Sequence, residues 1–158
     1  MAFRENRPWA VFLTFSPEEL KIKEVDIMNV DIRWKQRFLN FKKALGQLKE
    51  FFELPQLNKF EVQGLIKCFE YTFPLGLKTM EDYLQEQGFD PKTPRAAIQT
   101  AQMAELIEDG YVWLDALNKR NLMAHTYNEE LAKEAERLIR TNYYPMLNKL
   151  FATLEGEL

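Results

Sequence analysis

Between Trp34 and Phe52 the chain places apolar residues at steps of four, three, four, three and four: Trp34, Phe38, Phe41, Leu45, Leu48 and Phe52. Those steps put all six on one face of an α-helix, whereas a strand would need strict alternation. A helix with so wide an apolar face has to bury it against other helices. The stripe predicts a helix over about Asp31 to Glu53, with Pro55 after its end. An aromatic stripe with this spacing reads as core.

The same period returns downstream. Val62, Ile66, Phe69, Phe73, Leu77, Met80 and Leu84 form a second stripe, over about Asn58 to Gln87, closed by Gly88 as a left-handed cap. Pro74 lies inside it, where it removes one backbone hydrogen bond. A kink, or two collinear helices, is expected there, with Gly76 easing the bend. Thr93 is an N-cap candidate with Pro94 at the first helical position, which starts a third helix running to about Ile107. A fourth is expected over about Asp109 to Met123, with Trp113, Leu114 and Leu117 inward. Thr126 followed three residues later by Glu129 has the capping-box pattern, so a fifth should start at Thr126, bend at Pro145 and run to about Leu154. The expected fold is all-α: an antiparallel bundle of about five helices on a four-helix up-down core.

Residues 1–29 differ from this pattern and are read as an N-terminal arm before a helical domain at 30–158. Trp9 to Phe15 suits a short strand or extended arm, and Ser16-Pro17-Glu18-Glu19 suits a short helical turn. The arm is either an extension upstream of a natural start at Met28 or a segment that packs on a partner.

Composition narrows the function. Hydrophobic residues are 46% of the 158, enough for a core, and the formal charge is −3. Proteins that grip long nucleic acid through its phosphates carry a basic excess, so DNA is not expected as a ligand and any RNA contact should be compact and local. Cys68 is the only cysteine, which excludes an internal disulfide and suits a cytoplasmic protein. No apolar run approaches the ~20 residues of a membrane span. There is no P-loop, dinucleotide fingerprint, serine or cysteine nucleophile motif, or clustered metal-ligand set, so neither a cofactor nor a metal is expected.

One segment carries chemistry: Arg120-Asn121-Leu122-Met123-Ala124-His125-Thr126-Tyr127, with the sole histidine. On a continuous helix Arg120 and His125 would point about 140° apart, so they converge only if the helix breaks. The capping box at Thr126 predicts a break just after His125. Asn121, four before His125, is placed to hydrogen-bond the ring if the helix persists that far. Arg120 supplies a permanent charge with forked donors suited to phosphate. A neutral imidazole beside it is suited to act as a general base. Together they fit phosphodiester cleavage: His125 takes a proton from a ribose 2′-hydroxyl and Arg120 stabilises the phosphoryl oxygens. Lys119 and Asn121 are candidates to hold RNA. Glu70 is a candidate partner of Arg95 or Arg120, and Asp109 a lesser candidate.

Arg-x-x-x-x-His-x-Tyr resembles the signature of HEPN domains encoded beside minimal nucleotidyltransferases (MNT proteins). The resemblance spans about 31–154. It includes Phe69-Glu70-Tyr71-Thr72-Phe73, Asp82-Tyr83-Leu84, Gly88, Pro94-Arg95, and Ile107 to Trp113 ahead of Arg120-Asn121. The chain departs from the family at Pro74, where a glutamate is usual, and at Leu77, where a tryptophan is usual. Lys78 is retained.

The resemblance implies a homodimer whose two motifs share one cleft, and a toxin that cuts RNA without metal. It also implies a nucleotidyltransferase antitoxin that transfers AMP to Tyr127, blocking RNA by charge and bulk. Proteins of this type are also described as the substrate-binding half of a split nucleotidyltransferase, in which the motif would recognise phosphate without cutting. A plain helical dimerisation module is the third possibility. It fits poorly with a polar motif interrupting a well-patterned bundle.

Overall fold

The computed structural model describes residues 16–158. Helix α1 is Pro17–Phe52, α2 Lys59–Glu86, α3 Pro94–Met103, α4 Gly110–Asn118 and α5 Arg120–Met123. Then α6, Glu129–Leu138, runs through a π-helical turn at Ile139–Tyr143 into α7, Tyr144–Glu155. With α4 and α5 as one broken rod and α6 to α7 as another, the bundle has the five helical rods expected. No strand occurs among the described residues. The strand or arm expected at Trp9 to Phe15 lies outside them.

The pairing is antiparallel. Arg33 and Arg37 reach Asp82, Tyr71 bonds Gln47, and Cys68 approaches the Ala44 carbonyl. Positions therefore fall along α2 as they rise along α1. Phe38 stacks on Phe151 at 5.2 Å while Phe52 meets Tyr144 at 4.3 Å, so α7 also runs against α1. The stripes meet in one core. Trp34, Phe38, Phe41 and Leu48 are fully buried, as are Met80 and Leu84 opposite them. Trp34 meets Tyr83 edge to face at 5.1 Å. Cys68 is buried and unpaired.

Helix ends follow local chemistry. Asn58 caps α2: its side chain accepts from the Phe60 and Glu61 amides, and Glu61 accepts from the Asn58 amide in return. Gly88, at φ 96°, closes the other end as expected. The helix passes Pro74 as one element, which excludes two collinear helices. Gly76 acts by closeness: a Cβ there would stand 3.1 Å from both Leu147 and Phe41, so its absence lets α1 and α7 settle onto α2. Thr93 accepts from the Ala96 amide and starts α3 with Pro94, as the sequence predicts.

Four boundaries differ from expectation. α1 begins at Pro17, well before Asp31, because residues 18–30 contain neither glycine nor proline; the stripe marks where the helix becomes buried. α3 stops at Met103 instead of Ile107. Glu105 takes the left-handed conformation, φ 60°, and the Leu106 amide reaches back to the Ala101 carbonyl. The fourth helix breaks at Lys119 rather than running to Met123. The last one starts at Glu129 instead of Thr126. Asn128 accepts from the Glu130 and Leu131 amides, and asparagine is the stronger cap. Ahead of Pro145 the chain widens into the π-helical turn, where one extra residue absorbs the missing amide donor.

Candidate functional site

The break at Lys119 sets the geometry of the motif. From there the backbone closes with short bonds three residues apart: Leu122 to Lys119, Ala124 to Asn121, His125 to Leu122 and Asn128 to His125. Three residues per turn align positions 120, 123 and 126 on one side. Met123 and Thr126 are buried on that side, and the Arg120 guanidinium lies 5.8 Å from the ring centroid of buried Phe73. The segment is therefore pinned at both ends. Thr126 is also tied to α2, since the Gln63 side-chain amide donates to the Thr126 carbonyl at 2.7 Å. The Thr126 hydroxyl lies 3.2 Å from the Met123 carbonyl and 3.3 Å from Gln63 Oε1.

Between these anchors Arg120, Asn121, His125 and Tyr127 are exposed, Tyr127 to 84%. The structure brings His125 and Tyr127 together, with ring centroids 6.1 Å apart and planes at 80°. It does not bring His125 onto Arg120. Arg120–Met123 is α-helical and the turns after it close at three residues, so five positions leave the two side chains roughly 120–140° apart in direction. A break was required for convergence, and this break, one residue before Arg120, does not supply it within one chain.

The supporting residues fall out as follows. Asn121 makes no hydrogen bond to the His125 ring, because the helix that would align them ends at Met123. Lys119 pairs with Asp115 at 3.1 Å. Glu70 pairs with Lys67 at 3.5 Å and with neither Arg95 nor Arg120; Arg95 instead donates to the Asn118 side chain. Asp109 is buried at the start of α4, 3.9 Å from the Lys149 ammonium.

Tyr143 and Asp115 were not anticipated. The Tyr143 hydroxyl, presented by the π-helical turn, donates to Asp115 at 2.6 Å. Burial, then the adjacent Asp115 carboxylate, pushes the Tyr143 phenol far above its usual value. Burial works to raise Asp115, but the Tyr143 hydroxyl and the Lys119 ammonium outweigh it and hold the carboxyl below its usual range. This network fixes the residue immediately before Arg120. Among the described residues no group of three or more histidine, cysteine, aspartate or glutamate side chains could hold a metal ion.

A groove of about 1050 Å³ has Tyr127 in its wall. It lies between the α1–α2 loop, the first turn of α2, Ala124 to Tyr127 and the length of α6. Arg120 and His125 are not in its wall. One of its two exposed aromatics, Phe60, stands off the apolar stripe of α2, and that displacement is a signal of it in the sequence.

The family described as nucleotidyltransferase substrate binding protein like matches residues 36–156. A crystal structure of a protein from Thermus thermophilus is similar, with a TM-score of 0.65 and 32% identity over 72% of this chain and 98% of that one. Comparison with curated proteins returned no match. The first part of α1 precedes the matched range.

Proposed function

The chain belongs to the nucleotidyltransferase substrate-binding-protein-like family, and from that premise we propose that it is the helical partner of a nucleotidyltransferase, with the Arg120–Tyr127 segment as a metal-independent ribonuclease. In a homodimer, the motifs of two copies would face one cleft. His125 of one copy removes the proton of a ribose 2′-hydroxyl, and the 2′-oxygen attacks the adjacent phosphorus. The bond to the 5′-oxygen breaks, and that oxygen takes the proton back from the same imidazolium. The products are a 2′,3′-cyclic phosphate and a 5′-hydroxyl. Arg120 stabilises charge on the non-bridging oxygens.

Tyr127 is the control point of this toxin-antitoxin arrangement. Its phenolic oxygen attacks the α-phosphorus of a nucleoside triphosphate held by the partner. Pyrophosphate leaves, the phenolic proton passes to solvent, and a nucleoside monophosphate stays on the ring. The added charge and bulk beside His125 oppose RNA binding.

The observation that carries this reading is the interrupted helix, which exposes Arg120, His125 and Tyr127 together while burying only Met123 and Thr126. The test is unmodified, dimeric protein with total RNA in EDTA, beside His125→Ala. Wild type should leave cyclic phosphate ends, and His125→Ala should cut at least about 10²-fold more slowly with its helicity unchanged. Equal cleavage by both, or none, would remove the ribonuclease.

A second reading, a substrate-binding subunit without cleavage, is favoured by the groove and by Tyr127 standing on its wall. Under it His125→Ala changes no RNA, and the partner nucleotidyltransferase alone carries the chemistry.

A further inference from the structure

The groove between α2 and α6 combines three properties. Its base is apolar, with Val62 and Ala132 buried beneath it. Two flat aromatic rings stand on its walls almost fully in solvent, Phe60 at 76% exposure and Tyr127 at 84%. Exposed aromatics on opposite segments of a groove provide π-faces on which a base stacks at little conformational cost.

The third property is charge. Arg140 is already committed: it pairs with Glu136 at 3.0 Å and lies 5.1 Å from the Phe52 ring centroid. Lys59 and Lys133 remain, and neither makes an ion pair among the described residues. Lys59 stands 5.1 Å from the Phe60 ring centroid, which places a cation beside the stacking surface. Against these two the wall offers the one further carboxylate of Glu129, so the groove favours an anion although the whole chain is acidic. A flat π-surface beside unpaired ammonium groups matches a nucleotide better than an acidic peptide, which brings no ring, or a lipid headgroup, which brings no base.

We infer that this groove seats the nucleoside monophosphate carried by Tyr127, with its base on Phe60 and its phosphate near Lys59 and Lys133. The occupant is argued from the groove, while its attachment to Tyr127 rests on the reading of that residue as the acceptor. Tyr127 belongs both to the groove and, through its contact with His125, to the motif. A group attached to it therefore has a built seat in the groove while its tether stays beside His125. Regulation would then involve holding the nucleotide as well as adding it. The groove would draw Tyr127 and its burden into one fixed position, and hydrolytic removal would be slowed because the phosphodiester is shielded.

The test is calorimetric titration of the full, unmodified dimer with AMP, repeated after the partner nucleotidyltransferase and ATP have acted on it. Wild type should bind free AMP, and Phe60→Ala and Lys133→Glu should each weaken binding about tenfold or more. Both positions are exposed, so neither change threatens the fold, which circular dichroism will check. Protein modified at Tyr127 should no longer bind free AMP, because the seat is filled. Absence of binding at millimolar AMP, equal binding by both variants, or undiminished binding by the modified protein would each overturn the inference. Failure of the acceptor reading looks different: free AMP binds and responds to Phe60→Ala and Lys133→Glu, but mass spectrometry finds Tyr127 unmodified. That outcome removes the tether and, with it, the regulatory role.

Discussion

Arg120 is held from below by an aromatic face and leaves its forked donors free. Its guanidinium rests over Phe73, which is itself packed against Trp113, and none of its donors is spent on a carboxylate among the described residues. An arginine placed this way is oriented without being neutralised, which suits it to phosphate. Lysine would keep the charge but lose both the planar stacking and the two-pronged contact. Arg120→Lys should therefore lower RNA cleavage on the order of 10²-fold in single-turnover kinetics with the fold intact. A rate within about threefold of wild type would show that only charge is needed there. The exposed His125 ring meets Tyr127 edge to face. The motif was legible in the sequence because its residues are contiguous and the sole histidine lies among them. The groove was not, because Phe60, Tyr127 and Lys133 come from three separate segments and meet only in the folded chain.

At the scale of elements, the way each helix ends shapes the site. Stripes located α1 and α2, since period and burial are the same physical fact read twice, and caps located the third and last helices. Ends were harder to read. At 126–129 two caps compete, Thr126 and Asn128, and the shorter helix wins because Thr126 is drawn into the core to meet Gln63. At Glu105 a left-handed residue takes the role usually given to glycine, so no glycine marked the end of α3. The π-helical turn at Ile139–Tyr143 left no trace in the pattern beyond Pro145. Its consequence is the Tyr143–Asp115 bond, which ties α4 to the last rod next to the break at Lys119. Tyr143, with its folded value raised, contributes stability that is complete below the unfolded phenol value near ~10 and lost as pH rises through the folded one. Asp115, with its folded value depressed, contributes stability present above ~3.9 and lost as pH falls through the folded value. Tyr143→Phe should lower stability at neutral pH by about 1–2 kcal/mol. It should also flatten the alkaline decline above pH ~10, as followed by thermal melts at several pH values. An alkaline limb as steep as that of wild type would mean that Tyr143 is not the titrating group.

At the scale of the whole molecule, an acidic chain places cationic groups in the motif, at the exposed Arg120, and in the groove, at Lys59 and Lys133. No helix among the described residues is long and apolar enough to cross a membrane. Within one copy the turn directs Arg120 and His125 apart, so the proposed ribonuclease requires a second copy to complete the pair. That requirement is tested most directly by mixing two inactive variants, Arg120→Ala and His125→Ala, under conditions where dimers exchange. Each mixed dimer then carries one intact arginine and one intact histidine in the shared cleft. The account predicts that RNA cleavage in EDTA, absent from each variant alone, returns in the mixture in proportion to the mixed dimer. Exchange without any return of cleavage would contradict it and place the two side chains in separate roles.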